Sequence, residues 1–82
     1  MTVRLHRHAK ERLSERGATE EEVIATVQTG ERFLVKFGRT GFRRNFPFHG
    51  KWRGKRYTTK QVEAYAVAEE GWLVITVIVK YF

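Results

Sequence analysis

The 82-residue chain has no cysteine and no aspartate, a single proline, and no long apolar run. Without cysteine there is neither a disulfide framework nor a thiolate metal site, and a reducing cytoplasm is the expected location. Glutamate is the only carboxylate side chain and there are three histidines. A metal site is therefore not expected, since His6 and His8, two positions apart, should point to different sides of a helix. Nothing approaches the roughly eighteen apolar residues that a membrane span needs. The charged segment Met1 to Arg12 also lacks the apolar core of a signal peptide. Gly38, Gly41, Gly50 and Gly54 are spaced like hairpin turns and form no phosphate-binding or dinucleotide fingerprint, so no cofactor is expected. Ser14 lies among charges, outside any nucleophile motif. No repeat or linker divides the chain, which reads as one domain over residues 1–82.

What the chain does have is positive charge in one place. Residues 32–62 carry ten Lys or Arg and no carboxylate, while the six basic and nine acidic residues outside them leave a net −3. Phe33, Phe37, Phe42, Phe46, Phe48, Trp52 and Tyr57 are interleaved with those cations. Lys and Arg bind phosphates by displacing condensed counterions, and aromatic faces can stack unpaired bases. RNA or the ribosome is the first partner to consider, with Arg16, Arg39, Arg43, Arg44, Lys51, Trp52, Arg53, Lys55, Arg56 and Lys60 as candidate contacts. An ordinary antiparallel strand with cations outside and phenylalanines inside has the same pattern, and an acidic protein partner would satisfy the same surface.

Leu5, Ala9 and Leu13 recur at helical spacing, and Gly17 stands where a left-handed cap ends a helix, which predicts a first helix from about His6 to Arg16. Thr19 with Glu22 makes a capping box opening a second helix, whose buried stripe should be Val23, Ile24 and Val27 and whose end is Thr29-Gly30. Beyond it the pattern alternates. Strands are expected near 32–37, 42–48, 55–68 and 72–81, with turns at 38–41, 49–50 and 70–71. Pro47 has no ladder donor, so the second strand should be an edge or carry a bulge. The predicted fold class is α+β: two N-terminal helices on one face of a four-stranded, mainly antiparallel twisted sheet.

In the last hairpin Val62, Ala64, Ala66 and Ala68 should share the helix-covered face with Leu73, Ile75, Val77 and Val79. That match requires a loop of two or four residues, because an odd loop opposes the two patterns. The uncovered face would then carry Gln61, Glu63, Tyr65 and Val67 against Trp72, Val74, Thr76, Ile78 and Lys80. It would hold a carboxylate, a phenol, a hydroxyl and an ammonium together. On the first helix His8, Arg12 and Arg16 lie four apart, within a spread of roughly 80 degrees, and could grip one phosphate. They equally suit a solvated helix face.

The residues His8-Ala9, Arg12, Arg16-Gly17, Glu22-Val23 and Gly30, with the closing Val62 to Ala66 and Leu73 to Val77, resemble the bacterial domain-of-unknown-function family 4258. Ala18 departs from the larger aliphatic residue common there. That family is similar to the RelE/ParE-like toxins of toxin–antitoxin pairs, many of them metal-independent ribonucleases. The resemblance implies an RNA-cleaving or translation-linked toxin with an acidic antitoxin, or, as in ParE-like relatives, one that targets a topoisomerase, and it supports His8, Arg12 and Thr76 by position. Glu63, Tyr65 and Lys80 join them through the hairpin-face argument. In this reading His8 or Glu63 serves as base or acid, Arg12 and Lys80 stabilise a pentacovalent phosphorane, and Tyr65 and Thr76 orient the phosphate. The alternative is a basic module that binds RNA, the ribosome or an acidic protein without catalysis.

Overall fold

A computed structural model describes residues 2–82. In chain order it contains β1 (Val3–Leu5), α1 (Arg7–Arg16), α2 (Glu20–Thr29), β2 (Glu31–Leu34), β3 (Thr40–Trp52), β4 (Lys55–Ala68) and β5 (Trp72–Tyr81). The class is α+β, with two helices as expected, but the sheet has five strands in the order β1-β5-β4-β3-β2 and is mixed. The additional strand, β1, runs parallel to β5 from Val3 opposite Trp72 to Leu5 opposite Val74. Three residues are too few to show an alternating pattern, and the helical spacing of Leu5 with Ala9 masks them. Hydrogen bonds from Trp72 N to Thr2 O and from His6 N to Val74 O, both 2.8 Å, tie its ends down.

Both helix starts and the first helix stop follow local chemistry. His6 is extended and caps α1 by accepting the His8 N–H on Nδ1 at 3.2 Å. Gly17 closes that helix in the left-handed region (φ 78°), with the N–H groups of Gly17 and Ala18 both returning to Leu13 O. A Cβ on Gly17 would also lie 2.8 Å from the Trp52 ring, so glycine is required twice over. In α2 the capping box forms in full, Glu22 N to Thr19 Oγ1 at 3.1 Å and Thr19 N to Glu22 Oε1 at 3.0 Å. Its buried stripe is Val23, Thr26 and Val27, with Thr26 in place of Ile24. The Thr26 hydroxyl is satisfied by donating to Glu22 O at 2.7 Å.

The sheet departs from the alternation in two instructive places. Residues 49–50 do not make a turn: β3 continues to Trp52, with a bulge between Pro47 and Gly50 where His49 takes φ 47°. The chain reverses instead at Arg53-Gly54, whose φ values of 51° and 86° suit a two-residue hairpin loop. The β4–β5 loop has three residues, Glu69 to Gly71, and that odd length would have opposed the two faces. A bulge restores the match. Ala66 pairs with Val74 but Tyr65 pairs with Thr76, so the strand slips by one residue at Ile75. Val77 and Val79 therefore lie under the helices opposite Ala64 and Val62, as expected, whereas Trp72 and Val74 take the places foreseen for Leu73 and Ile75. The core formed beneath the helices includes Ala9, Leu13, Val23, Val27, Phe42, Val62, Ala64, Ala66, Val74 and Val77. Among the described residues no helix is long and apolar enough to cross a membrane.

Candidate nucleic-acid interface

The position of α1 is set at its C-terminal end. Three carbonyls there accept side-chain donors from the sheet: Glu15 O from Arg53 Nη2 at 3.1 Å, Arg16 O from the Tyr81 hydroxyl at 3.0 Å, and Gly17 O from Lys60 Nζ at 2.9 Å. Cations at the negative end of a helix dipole are favourable, and Lys60 additionally pairs with Glu22 at 2.8 Å. Lys60 is 7% exposed. It is a structural clamp between β4 and the turn joining the helices, and is not available as the phosphate contact expected of it.

Held in this way, α1 runs beside β5. Beyond Val74 the outer edge of β5 has no strand partner among the described residues, because β1 ends at Leu5. A groove of about 230 Å³ lies between that edge and the helix, lined by His8, Ala9, Arg12, Arg16, Ile75, Thr76 and Val77. Arg16 donates to the Val77 carbonyl, which closes one end of the groove and satisfies an edge acceptor. His8 and Arg12 are exposed, and the His8 ring stacks on His6 at 5.2 Å and 11°. The two imidazoles are not split across a helix, because His6 precedes the first turn as its cap. Among the described residues no group of three or more His, Cys, Asp or Glu is placed to hold a metal ion.

The six residues assigned to catalysis fall into two groups that meet at Thr76. His8 and Arg12 line the groove with Thr76, while Glu63, Tyr65 and Lys80 form a cluster on the face without helices. There Glu63 is 4% exposed, accepts the Tyr65 hydroxyl at 2.9 Å and pairs with Lys80 at 3.3 Å. Thr76 is the Cα partner of Tyr65 and so belongs to that face as well. Burial, the hydrogen bond to Glu63 and the Glu63 charge push the Tyr65 phenol above its ordinary value, against a smaller opposing effect of Arg43. Both Glu63 and Lys80 are thus engaged with neighbours and not with the groove.

The basic stretch sorts in the same way. Arg43 pairs with Glu31 at 2.9 Å and lies over the Phe33 ring, and Arg44 donates to Thr29 Oγ1 at 3.0 Å while covering Phe46. Trp52, half-buried, is stacked on Tyr81 at 5.0 Å and has the Arg53 guanidinium 5.3 Å from its ring, so its ring is already engaged within the fold. Phe48 and Tyr57 also pack on Tyr81, and Phe42 is buried. These packed aromatics follow the ordinary strand reading, and Phe37, at 88% exposure in the β2–β3 turn, does not. Of the cations expected to contact RNA, Lys51, Lys55 and Arg56 at the tip of the β3–β4 hairpin and Arg39 at the β2–β3 turn are exposed and in no ion pair among the described residues, as are Arg32 and Lys36 nearer β2. Arg53 and Trp52 bring the hairpin tip against the end of α1, so Lys55, paired with Trp52 and on its side of the hairpin, lies towards the Arg16 end of the helix, whereas Lys51 and Arg56 share the other side and Arg39 lies at the far end of β3. No sequence signal pointed to the Val77 carbonyl, since main-chain groups carry no signature in composition.

No family model, curated protein or solved structure matches the chain.

Proposed function

We propose that the protein binds single-stranded RNA along α1 and the β3–β4 hairpin tip and cleaves it without a metal in the groove beside β5. The observation that carries this reading is the gathering of His8, Arg12 and Arg16 beside Thr76 in one groove, with the hairpin tip held against the same end of α1 by Arg53. The resemblance to family 4258 and its toxin-like relatives supports the same choice. In the reaction the ribose 2′-hydroxyl gives its proton to the His8 imidazole and bonds to the adjacent phosphorus. The P–O5′ bond then breaks, the departing oxygen takes a proton from water, the hydroxide so formed takes the proton held on His8, and a 2′,3′-cyclic phosphate remains. Arg12, and Arg16 through the nitrogens not used on Val77, offset the charge that builds on the phosphorane. Thr76 lines the same groove, with its side chain on the face shared with Tyr65. Glu63, Tyr65 and Lys80 hold one another and shape the neighbouring face, in place of the direct roles the sequence suggested.

Purified protein, end-labelled single-stranded RNA and EDTA make the test. Fragments ending in a 2′,3′-cyclic phosphate are the expected result, and RNA left whole, alone or on translating ribosomes, contradicts cleavage. The second reading, a binding module for RNA, the ribosome or an acidic antitoxin-like protein, is favoured by one observation. The one buried carboxylate near the groove is occupied by Tyr65 and Lys80, which leaves His8 without a second proton-transfer side chain in contact. RNA that is bound but never cut supports this second reading.

A further inference from the structure

The opposite edge of the sheet carries features that RNA cleavage does not use. β2 is a four-residue edge strand, so every second residue presents an N–H and a C=O to solvent with no ladder partner. Two large apolar side chains stand out beside it, Leu34 at 96% and Phe37 at 88% exposure. On the helix side of β2, a groove of about 530 Å³ runs between the end of α2 and the sheet, lined in part by Val3, Val27, Phe42 and Trp72. The Arg32 guanidinium lies over it, 5.1 Å from the Trp72 ring and 5.8 Å from that of Phe42. Stacked in this way it keeps its edge donors for a planar anion, and none of the ion pairs among the described residues includes it. Arg32 and Leu34 share one side of the strand, since side chains alternate.

We propose that the outer edge of β2 is a docking site for an acidic, extended segment of another protein. That segment adds as a strand along β2, places an apolar side chain in the groove beneath Arg32 and a carboxylate on its guanidinium, and covers Leu34. Main-chain pairing supplies affinity and the groove supplies selectivity, the usual division in strand addition. Charge decides between this occupant and a second copy of the chain. Residues 31–44 hold five cations, Arg32, Lys36, Arg39, Arg43 and Arg44, against one carboxylate, Glu31, which is already paired with Arg43. Pairing β2 with its own copy across a two-fold axis would set two such segments, each +4, against each other, whereas an acidic strand neutralises them. The site does not depend on the reading of α1 as a nuclease groove.

The test is an NMR titration of the ¹⁵N-labelled protein with a blocked eight-residue peptide of alternating glutamate and valine, and with its lysine counterpart. Expected are saturable shifts at the amides of Arg32 to Leu34 and at the Trp72 indole N–H for the acidic peptide only, with a Kd below about 1 mM. Leu34→Asp combined with Arg32→Glu should weaken binding at least tenfold while leaving RNA affinity within twofold. Leu34 is so exposed that its replacement does not threaten folding. Absence of shifts on β2, equal binding of the lysine peptide, or shifts confined to the β3–β4 tip overturns the proposal. A dimer in sedimentation that Leu34→Asp dissociates also overturns it, in favour of a second copy. RNA that displaces the peptide from the β2 amides would assign this edge to nucleic acid instead.

Discussion

Replacing Lys60 by methionine separates a structural cation from a binding one. Lys60 Nζ gives one hydrogen bond to Gly17 O at 2.9 Å and a charged one to Glu22 at 2.8 Å, and the two side chains are 9% and 22% exposed. Removing one member of a buried pair costs about 3–5 kcal/mol, because the remaining charge stays desolvated. The partial exposure of Glu22, and a methionine that keeps most of the lysine stem in place, put the expected loss at the lower end, about 3 kcal/mol. For a domain of this size that lowers Tm by roughly 12–24 °C at 4–8 °C per kcal/mol. Urea unfolding should show the midpoint fall with little change in slope, and a cycle with Glu22→Gln, which keeps the helix cap, should give a coupling of about 1 kcal/mol or more. Lys55→Met, at the exposed hairpin tip, should change stability by less than about 0.5 kcal/mol. A Lys60→Met protein that is as stable as the parent but loses several-fold in RNA affinity would refute the clamp and return Lys60 to the interface.

Gly17→Ala should destabilise by about 2–4 kcal/mol in the same assay, combining the cost of a left-handed alanine with overpacking against Trp52 and Tyr81. The Tyr65 and Tyr81 phenols are both pushed up, first by burial and then by the nearby Glu63 and Glu22 charges. Their protonated forms therefore favour the fold, a contribution present in full below the ordinary tyrosine pKa of about 10 and lost as pH rises through the higher folded values. Unfolding followed from pH 9 to 12 should show stability declining, and Tyr65→Phe should flatten part of that decline; an unchanged profile contradicts it. RNA affinity should depend steeply on salt. Four phosphate contacts, from Arg12, Lys51, Lys55 and Arg56, give a logarithmic slope of about −2.8 on a single strand, or roughly 50-fold between 50 and 200 mM, and alanine at each position should reduce that slope by about 0.7.

The parts of the fold governed by neighbours in sequence were legible there. The Thr19/Glu22 capping box and the Gly17 stop arise from contacts within a few residues and are found as read, and in β4 Val62, Ala64 and Ala66 are buried as expected while Ala68 is exposed and Glu63, on the other face, is buried. The β4–β5 hairpin shows where this fails. The odd loop and the bulge at Ile75 are two one-residue offsets that cancel for Val77 and Val79 but not for Leu73, and alternation alone cannot distinguish that pair of offsets from none. β1 was hidden because three residues gain their strand geometry only by pairing with β5. In the candidate site, the helical spacing of His8, Arg12 and Arg16 was visible, but their position beside a free strand edge depends on long-range contacts of Lys60, Tyr81 and Arg53 with the end of α1. The same contacts bury Lys60, which composition had assigned to the surface, and engage the half-buried Trp52 against the end of α1.

The most direct measurement takes one labelled RNA and determines Kd and the single-turnover cleavage rate at saturation, for His8→Ala and for Lys51→Ala/Lys55→Ala/Arg56→Ala. If the groove carries out the proton transfer and the hairpin tip holds the strand, His8→Ala loses about 10²–10⁴ in rate with Kd within twofold. The hairpin variant then shows the reverse, weaker binding by tenfold or more and a nearly unchanged rate. Cleavage that survives His8→Ala undiminished contradicts the account.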